Sequence, residues 1–74
     1  MQEFETLLSQ ANSGYQMATE KSLLTAAKLY KVVAIMSSQI ITKLNNGEII
    51  PKDELESYFR KTQSYLQKAN IVLQ

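Results

Sequence analysis

The amino-acid sequence predicts an all-α fold, an antiparallel three-helix bundle. Apolar residues recur at spacings of three and four along three segments, no segment alternates apolar and polar residues as a strand would, and the links between segments are short. With 74 residues the chain has room for one domain, which we assign to residues 1–74. Its hydrophobic content of 45% is typical of a globular domain.

The first helix is predicted over residues 2–18. Glu3 and Glu5 fall in its first turn, where the helix dipole favours negative charge. A glycine inside a helix costs about 1 kcal/mol relative to alanine, so Gly14 indicates the close approach of a neighbouring helix rather than a hinge. The residues on the predicted buried face are Phe4, Leu7, Leu8, Ala11, Gly14 or Tyr15, and Ala18.

The second helix is predicted over residues 22–45, after a short polar link at 19–21, with Ser22 as its N-cap. Its apolar face is wide, which indicates packing against two neighbours and a place in the middle of the bundle. Gly47 is the predicted left-handed residue that ends the helix. The residues on the predicted buried face are Leu23, Ala26, Ala27, Leu29, Tyr30, Val33, Ala34, Met36, Ser37, Ile40, Ile41 and Leu44.

The third helix is predicted over residues 53–73. Asp53 and Glu56 have the spacing of a capping box, and Pro51 lies just ahead of them. In the link, Ile49 and Ile50 are expected to pack against the end of the bundle. The predicted buried residues are Leu55, Tyr58, Phe59, Thr62, Tyr65, Leu66, Ala69, Val72 and Leu73. The four tyrosines of the chain all fall on predicted buried faces, so we expect core packing rather than stacking on bases.

The composition argues against catalysis, cofactors and metals. His and Cys are absent, which removes the commonest general base, thiolate ligands and disulfides. The carboxylates are not spaced to pair inside a core, and there is no glycine-rich phosphate loop. We therefore predict that the protein is not an enzyme.

Charge and hydropathy bear on location and partners. Basic and acidic residues are interspersed and the net charge is +1, which favours neither nucleic acid nor a membrane surface. No apolar run approaches the roughly 20 residues that span a bilayer. The first residues lack the basic region of a secretory signal, so a cytoplasmic setting is expected.

Four apolar residues are left over on the polar sides of the helices: Leu24, Val32, Ile35 and Ile71. Scattered exposed apolar residues are normal. A row of them beside a groove would be a docking surface for an amphipathic peptide, and a seam of them would support self-association. The sequence leaves these alternatives open.

Three elements in order resemble the MIT domain, the microtubule-interacting and trafficking module. Helix 2 carries Ala26 and, four residues later, Tyr30, where the family reads like E-E-A-L-x-L-Y; Gly14 is the small residue twelve positions before the Ala. Residues 61–70 read KTQSYLQKAN, where the family reads like K-C-x-x-Y-L-x-R-A-E-x-L. The chain departs from the family at Gln67 and Asn70, which replace acidic residues, and it lacks the Glu-Glu before the Ala.

The resemblance implies a monomeric module that binds short C-terminal tail peptides of ESCRT-III-type proteins and recruits a parent protein to endosomal or other remodelling membranes. It implies no nucleic acid and no direct membrane insertion. Because the helix 3 acids are missing, the affinity is expected to depend weakly on salt. The alternative functions are a structural or oligomerisation bundle and a helix-binding, chaperone-like module.

Two binding modes follow from the resemblance. One lays a peptide helix between helices 2 and 3, and its candidate residues are Phe59, Gln63, Leu66, Asn70, Val33, Met36 and Ile40. Leu66 matches the family's leucine after tyrosine and is expected at the edge of the core. The other lays an extended, proline-bearing strand between helices 1 and 3, with Ala11, Tyr15 and Tyr58 as candidates.

Overall fold

The computed structural model describes residues 2–74 and contains three helices, α1 (Gln2–Glu20), α2 (Leu24–Asn45) and α3 (Lys52–Leu73). No strand occurs within this range, and all three helices are in contact with one another. The predicted three-helix bundle is confirmed. It is elongated along the helix axes, measuring 39 × 19 × 16 Å.

Helix α2 lies between the other two, as its wide apolar face predicted. Its packing against α1 is the most extensive in the bundle, and the α1–α3 contact is the smallest. The fully buried residues of α2 are Ala26, Ala27, Tyr30, Val33, Ser37 and Ile40. Half-buried apolar residues extend this face on both sides and pack against the core: Leu23, Leu29, Ala34, Ile41 and Leu44.

By length and composition alone, α2 could also cross a membrane, although the sequence was expected to contain no apolar run long enough. The reason is that apolar residues at helical spacing raise the mean hydropathy of the helix, even though lysines and the polar residues 37–39 interrupt the apolar runs. The core helix of a bundle has the same composition, and α2 uses its apolar face to pack against α1 and α3.

The turn from α1 to α2 is built around Ser22, which has a left-handed backbone with φ +60°. The Ser22 amide donates to the Thr19 carbonyl (3.1 Å) and the Leu23 amide to the Ala18 carbonyl (2.8 Å). These two bonds form a Schellman motif with Ser22 at C′. The predicted N-cap role of Ser22 and the predicted break at 19–21 are therefore wrong, because α1 continues to Glu20 and Ser22 ends it.

The end of α2 follows the same rule, and here the prediction is confirmed. Gly47 has φ +83°, its amide donates to the Leu44 carbonyl (3.1 Å), and the Glu48 amide donates to the Lys43 carbonyl (3.1 Å). Gly47 is therefore the C′ residue of a second Schellman motif.

Helix α3 begins one residue earlier than predicted, and no capping box forms. Pro51 occupies the N-cap position without a side-chain hydrogen bond, and its carbonyl accepts from the Leu55 amide at 3.0 Å. Asp53 therefore lies inside the first turn, where it meets the positive end of the helix dipole together with Glu54.

Three apolar residues predicted to be buried are exposed: Tyr15, Val72 and, at 96% exposure, Ile49. Ile50 does pack against the core, so only half of the Ile49–Ile50 expectation is confirmed. On α1, Gly14 rather than Tyr15 completes the buried face. The exposure expected of Leu24, Val32, Ile35 and Ile71 is confirmed.

Candidate functional site

The groove between α1 and α3 has two recesses, one near each end. Because the bundle has three helices in up-down-up order, these two helices run parallel. Phe4, near the start of α1, makes an edge-to-face contact with Phe59, with ring centroids 5.4 Å apart. Gly14, ten residues later, lines a recess together with Asn70, eleven residues beyond Phe59.

The first recess lies at the start of both helices and has a volume of about 260 Å³. Its apolar wall is formed by Phe4, Leu55 and Phe59, and its rim by two acidic and two basic side chains: Glu3, Glu56, Lys52 and Arg60. The rim is balanced in charge, so the recess fits an apolar side chain of a ligand rather than a particular charge.

The second recess lies at the other end of the groove and has a volume of about 390 Å³. It is lined by Ser9, Gln10, Ser13, Gly14, Met17, Tyr30, Asn70 and Leu73. Hydroxyl and amide groups of α1 form one wall, while Met17 and Leu73 supply apolar contact. This recess can therefore take a side chain that is partly polar and partly apolar.

The floor of the second recess is fixed by contacts among all three helices. The Tyr30 ring of α2 lies against the backbone of Gly14, where a Cβ atom would collide with the ring. The Tyr30 hydroxyl donates a hydrogen bond to Oδ1 of Asn70 on α3. Burial raises the pKa of the Tyr30 phenol above its usual value.

The separation of the two recesses suits an extended peptide. Phe4 and Gly14 are ten residues apart on α1, which is about 15 Å at 1.5 Å per residue. An extended chain covers that distance in about five residues at roughly 3.3 Å each. The geometry therefore fits a short strand with two contact residues about five positions apart.

Comparison of the chain with models of known families, with curated proteins and with solved structures finds no match.

Four residues predicted to contact a peptide belong to the core. Ala11 and Val33 are fully buried, and Ile40 and Leu66 are nearly so. Leu66, at 6% exposure, is not at the edge of the buried face as predicted, because Thr62, Leu66 and Ala69 form the centre of the face that α3 turns inward. None of the four is accessible to a peptide on the surface of the folded bundle.

Two other candidates line recesses of the α1–α3 groove. Phe59 lies in the recess shared with α1, and Asn70 lies where all three helices meet, bonded to Tyr30 of α2. Gln63 lies between them on the same flank of α3 and is exposed. Tyr15 faces the other side of α1, in a depression shared with α2.

Two half-buried candidates remain beside the core. Met36 is partly covered on α2. Tyr58 lies near Phe4, with ring centroids 6.2 Å apart, and also lines a shallow depression on α3 beside Lys61. Burial raises the pKa of the Tyr58 phenol. Neither residue lines the recesses of the α1–α3 groove described above.

Sequence reasoning missed several residues of the groove, most clearly Met17 and Arg60. Both lie outside the predicted buried faces and are absent from the predicted site residues. A signal for Met17 does exist in the sequence, since it follows Gly14 by three positions and so shares its flank of α1. Within residues 2–74 there is no group of three acidic side chains that could hold a metal ion.

Proposed function

We propose that this chain is a protein-recognition module that binds short C-terminal tail peptides of ESCRT-III-type proteins in the groove between α1 and α3. In this role it recruits the protein that carries it to membranes undergoing remodelling. The bound peptide is extended and contacts both recesses.

The observation that carries this proposal is the pair of recesses along two parallel helices. One is walled by Phe4 and Phe59 and the other has a floor fixed by Gly14, Tyr30 and Asn70. A preformed surface of this kind binds without ordering the protein first, which favours affinity. Extended-peptide docking on a rigid scaffold is a common recognition mode.

The resemblance to the MIT domain supports the same function. Two of its three elements, Gly14 and the Tyr30 that follows Ala26, are the residues that fit against each other in the structure. Gln67 and Asn70 replace the family's acids, and Asn70 accepts the Tyr30 hydrogen bond instead of meeting a basic ligand residue. A peptide that depends little on arginine or lysine is therefore expected, with weakly salt-dependent affinity.

The test is a titration of fluorescent tail peptides of ESCRT-III-type proteins, both helical and proline-bearing, against wild-type protein and two variants. Met17→Glu places a charge in the second recess, and Ile35→Glu places one between α1 and α2. The two side chains are matched in exposure, at 46% and 48%. We expect Met17→Glu to weaken binding of the proline-bearing peptides roughly tenfold or more, and Ile35→Glu to leave it unchanged.

Equal losses in both variants, with helicity retained by circular dichroism, would show that the α1–α3 groove is not the site. Failure of every tail peptide to bind wild-type protein would remove the proposed function. A preference for helical peptides over proline-bearing ones would contradict the extended mode alone.

A second candidate function is self-association, and one observation favours it. The depression between α1 and α2 has a volume of about 420 Å³ and is flanked by the exposed side chains of Tyr15 and Ile35. Leu24 lies on the same side of α2 as Ile35, but Val32 is turned by about 60° from Ile35, so the four exposed residues do not form one seam. A dimer in light scattering that Ile35→Glu dissociates would favour this function.

A further inference from the structure

The charged residues, although interspersed along the chain, are unevenly distributed over α2 and α3. Between Leu24 and Asn45, α2 contains no acidic residue. The acidic residues of α3 all fall near its start, the last being Glu56, and residues 57–73 contain none. Where α2 and the later part of α3 lie side by side, the surface therefore carries cations without carboxylates.

The position of this surface follows from the grooves. Phe59 and Asn70 face α1, so the opposite flank of α3, with Lys61, Lys68 and Val72, lies towards α2 and away from α1. On α2, Lys31 and Ile35 face α1, and Val32 and Lys43 occupy the opposite flank, towards α3. Lys28 projects outward beside them.

We call this surface the lysine face and define it by the exposed side chains of Lys28, Lys61, Lys68, Val32 and Val72. Asp53 and Glu54 line a depression together with Lys61 and bound the face towards the start of α3. Lys61 and Val72 are eleven residues apart on α3, so the face extends over about 16 Å at 1.5 Å per residue. The lysine face therefore carries three cations beyond these two carboxylates.

The lysine face is also amphipathic. Val32 and Val72 expose apolar side chains among the lysines, at 39% and 40%. The Lys68 ammonium lies 5.6 Å from the centroid of the half-buried Tyr65 ring, so its aliphatic stem follows the surface of the bundle while the charge stays outside.

We propose that the lysine face binds the surface of a bilayer that contains anionic phospholipids. The lysines contact the negative headgroups, and the two valines reach the boundary between headgroups and acyl chains. The phosphate backbone of a nucleic acid would match the lysines but would give the exposed valines no apolar contact. A partner helix needs an open apolar groove, whereas half-buried Leu29, Met36 and Tyr65 occupy the α2–α3 flanks beside the core.

This inference is independent of the proposed function, because it uses a different flank of α3. Its test is co-sedimentation of the protein with vesicles of phosphatidylcholine alone and of phosphatidylcholine with phosphatidylserine in a two-to-one ratio. We expect binding to the anionic vesicles at low salt, little binding to the neutral ones, and loss of binding at high salt.

Two double variants with the same change in net charge locate the binding surface. Lys61→Glu/Lys68→Glu reverses two charges on the lysine face, and Lys52→Glu/Arg60→Glu reverses two on the α1–α3 side. All four side chains are exposed, so both variants should fold, which circular dichroism verifies. We expect the first to reduce partitioning onto anionic vesicles roughly tenfold or more, and the second to reduce it much less.

Three outcomes would overturn the proposal. One is an equal loss of vesicle binding in both double variants, which would show that binding depends on net charge and not on the lysine face. Another is equal binding of wild-type protein to neutral and anionic vesicles. The third is no vesicle binding together with lysine-dependent binding of a soluble, glutamate-rich amphipathic helix, which would make the partner a protein.

Discussion

The ring of Tyr30 rests on the backbone of Gly14, in space that a Cβ atom would otherwise fill. This contact lets α1 and α2 approach closely, and it places the Tyr30 hydroxyl where it donates a hydrogen bond to Oδ1 of Asn70 on α3. The absence of a side chain at Gly14 therefore allows Tyr30 to contact both α1 and α3.

Replacing Gly14 by alanine is expected to destabilise the bundle, although the same change in an ordinary helix stabilises it by about 1 kcal/mol. The added methyl group must displace a buried, hydrogen-bonded ring, and overpacking of this kind costs about 1–3 kcal/mol. Urea denaturation measures the change. The control is Ser13→Ala at the exposed neighbouring position, expected to change stability by no more than about 0.5 kcal/mol. If the Gly14→Ala protein were more stable than wild type, the Tyr30 ring would be able to move aside without loss of stability.

Replacing Ser22 by glycine is expected to stabilise the protein by about 1 kcal/mol, because a left-handed backbone costs an L-residue about that much and costs glycine almost nothing. Thermal and urea unfolding both report the gain. Ser9→Gly, in the middle of α1, should instead lose about 0.5–1 kcal/mol. If both substitutions destabilised, the left-handed conformation of Ser22 would be in doubt.

Introducing aspartate at Leu66 is expected to unfold the domain rather than to impair binding selectively. Leu66 is buried in the core, and an unpaired buried charge costs several kcal/mol, comparable with the whole stability of a small domain. Circular dichroism would show loss of helicity. Gln67→Asp at the exposed next position should keep the fold, and a folded Leu66→Asp protein would contradict the buried placement.

Removing the Ser37 hydroxyl is expected to stabilise the core. Its Oγ is buried and has no hydrogen-bond partner among residues 2–74, and an unsatisfied buried polar atom costs about 1–3 kcal/mol. Alanine at Ser38, which is exposed, gains only the difference in helix propensity, about 0.5 kcal/mol. We therefore expect Ser37→Ala to raise the free energy of unfolding more than Ser38→Ala does.

Stability is expected to fall at alkaline pH. Burial raises the pKa of Tyr30 and Tyr58 in the folded protein, whereas the pKa of both phenols in the unfolded chain is about 10. The folded state therefore keeps protons that the unfolded state loses, and the free energy of unfolding decreases as the pH rises through about 10 and above. Urea midpoints over this range measure the slope. The Tyr30→Phe/Tyr58→Phe protein should show a shallower decline, because it lacks both phenols.

Apolar periodicity was sufficient to predict the three helices and the central place of α2, because burial on a helix follows a 3.6-residue repeat. It also predicted the close approach at Gly14 and the end of α2 at Gly47, where backbone geometry demands glycine. The predictions for Ser22 and Asp53 failed for local reasons. Serine is favoured at helix N-caps, but here Ser22 is the left-handed residue of the turn that ends α1. The N-cap position predicted for Asp53 is occupied by Pro51.

The grooves could not be predicted in the same way. A helical repeat shows which face is buried but not which neighbour lies on its left or right, because this depends on the direction in which the bundle turns. Phe59 was therefore predicted beside α2 although it faces α1, and Asn70 contacts both α1 and Tyr30 of α2. Tyr15 was predicted to be buried because it is the apolar residue next to Gly14. The buried face of α1 in fact passes through Gly14, which has no side chain and so adds nothing to the apolar pattern.

The parallel course of α1 and α3 has a mechanical consequence. Gln2 and Gln74 lie at opposite ends of a body 39 Å long. A pulling force applied between these residues acts along the helix axes, so α1 must slide past α2 over its full length before contact is lost. Loading in shear strains many contacts at once, whereas an even number of helices would place both attachment points at one end and let the helices peel apart in sequence.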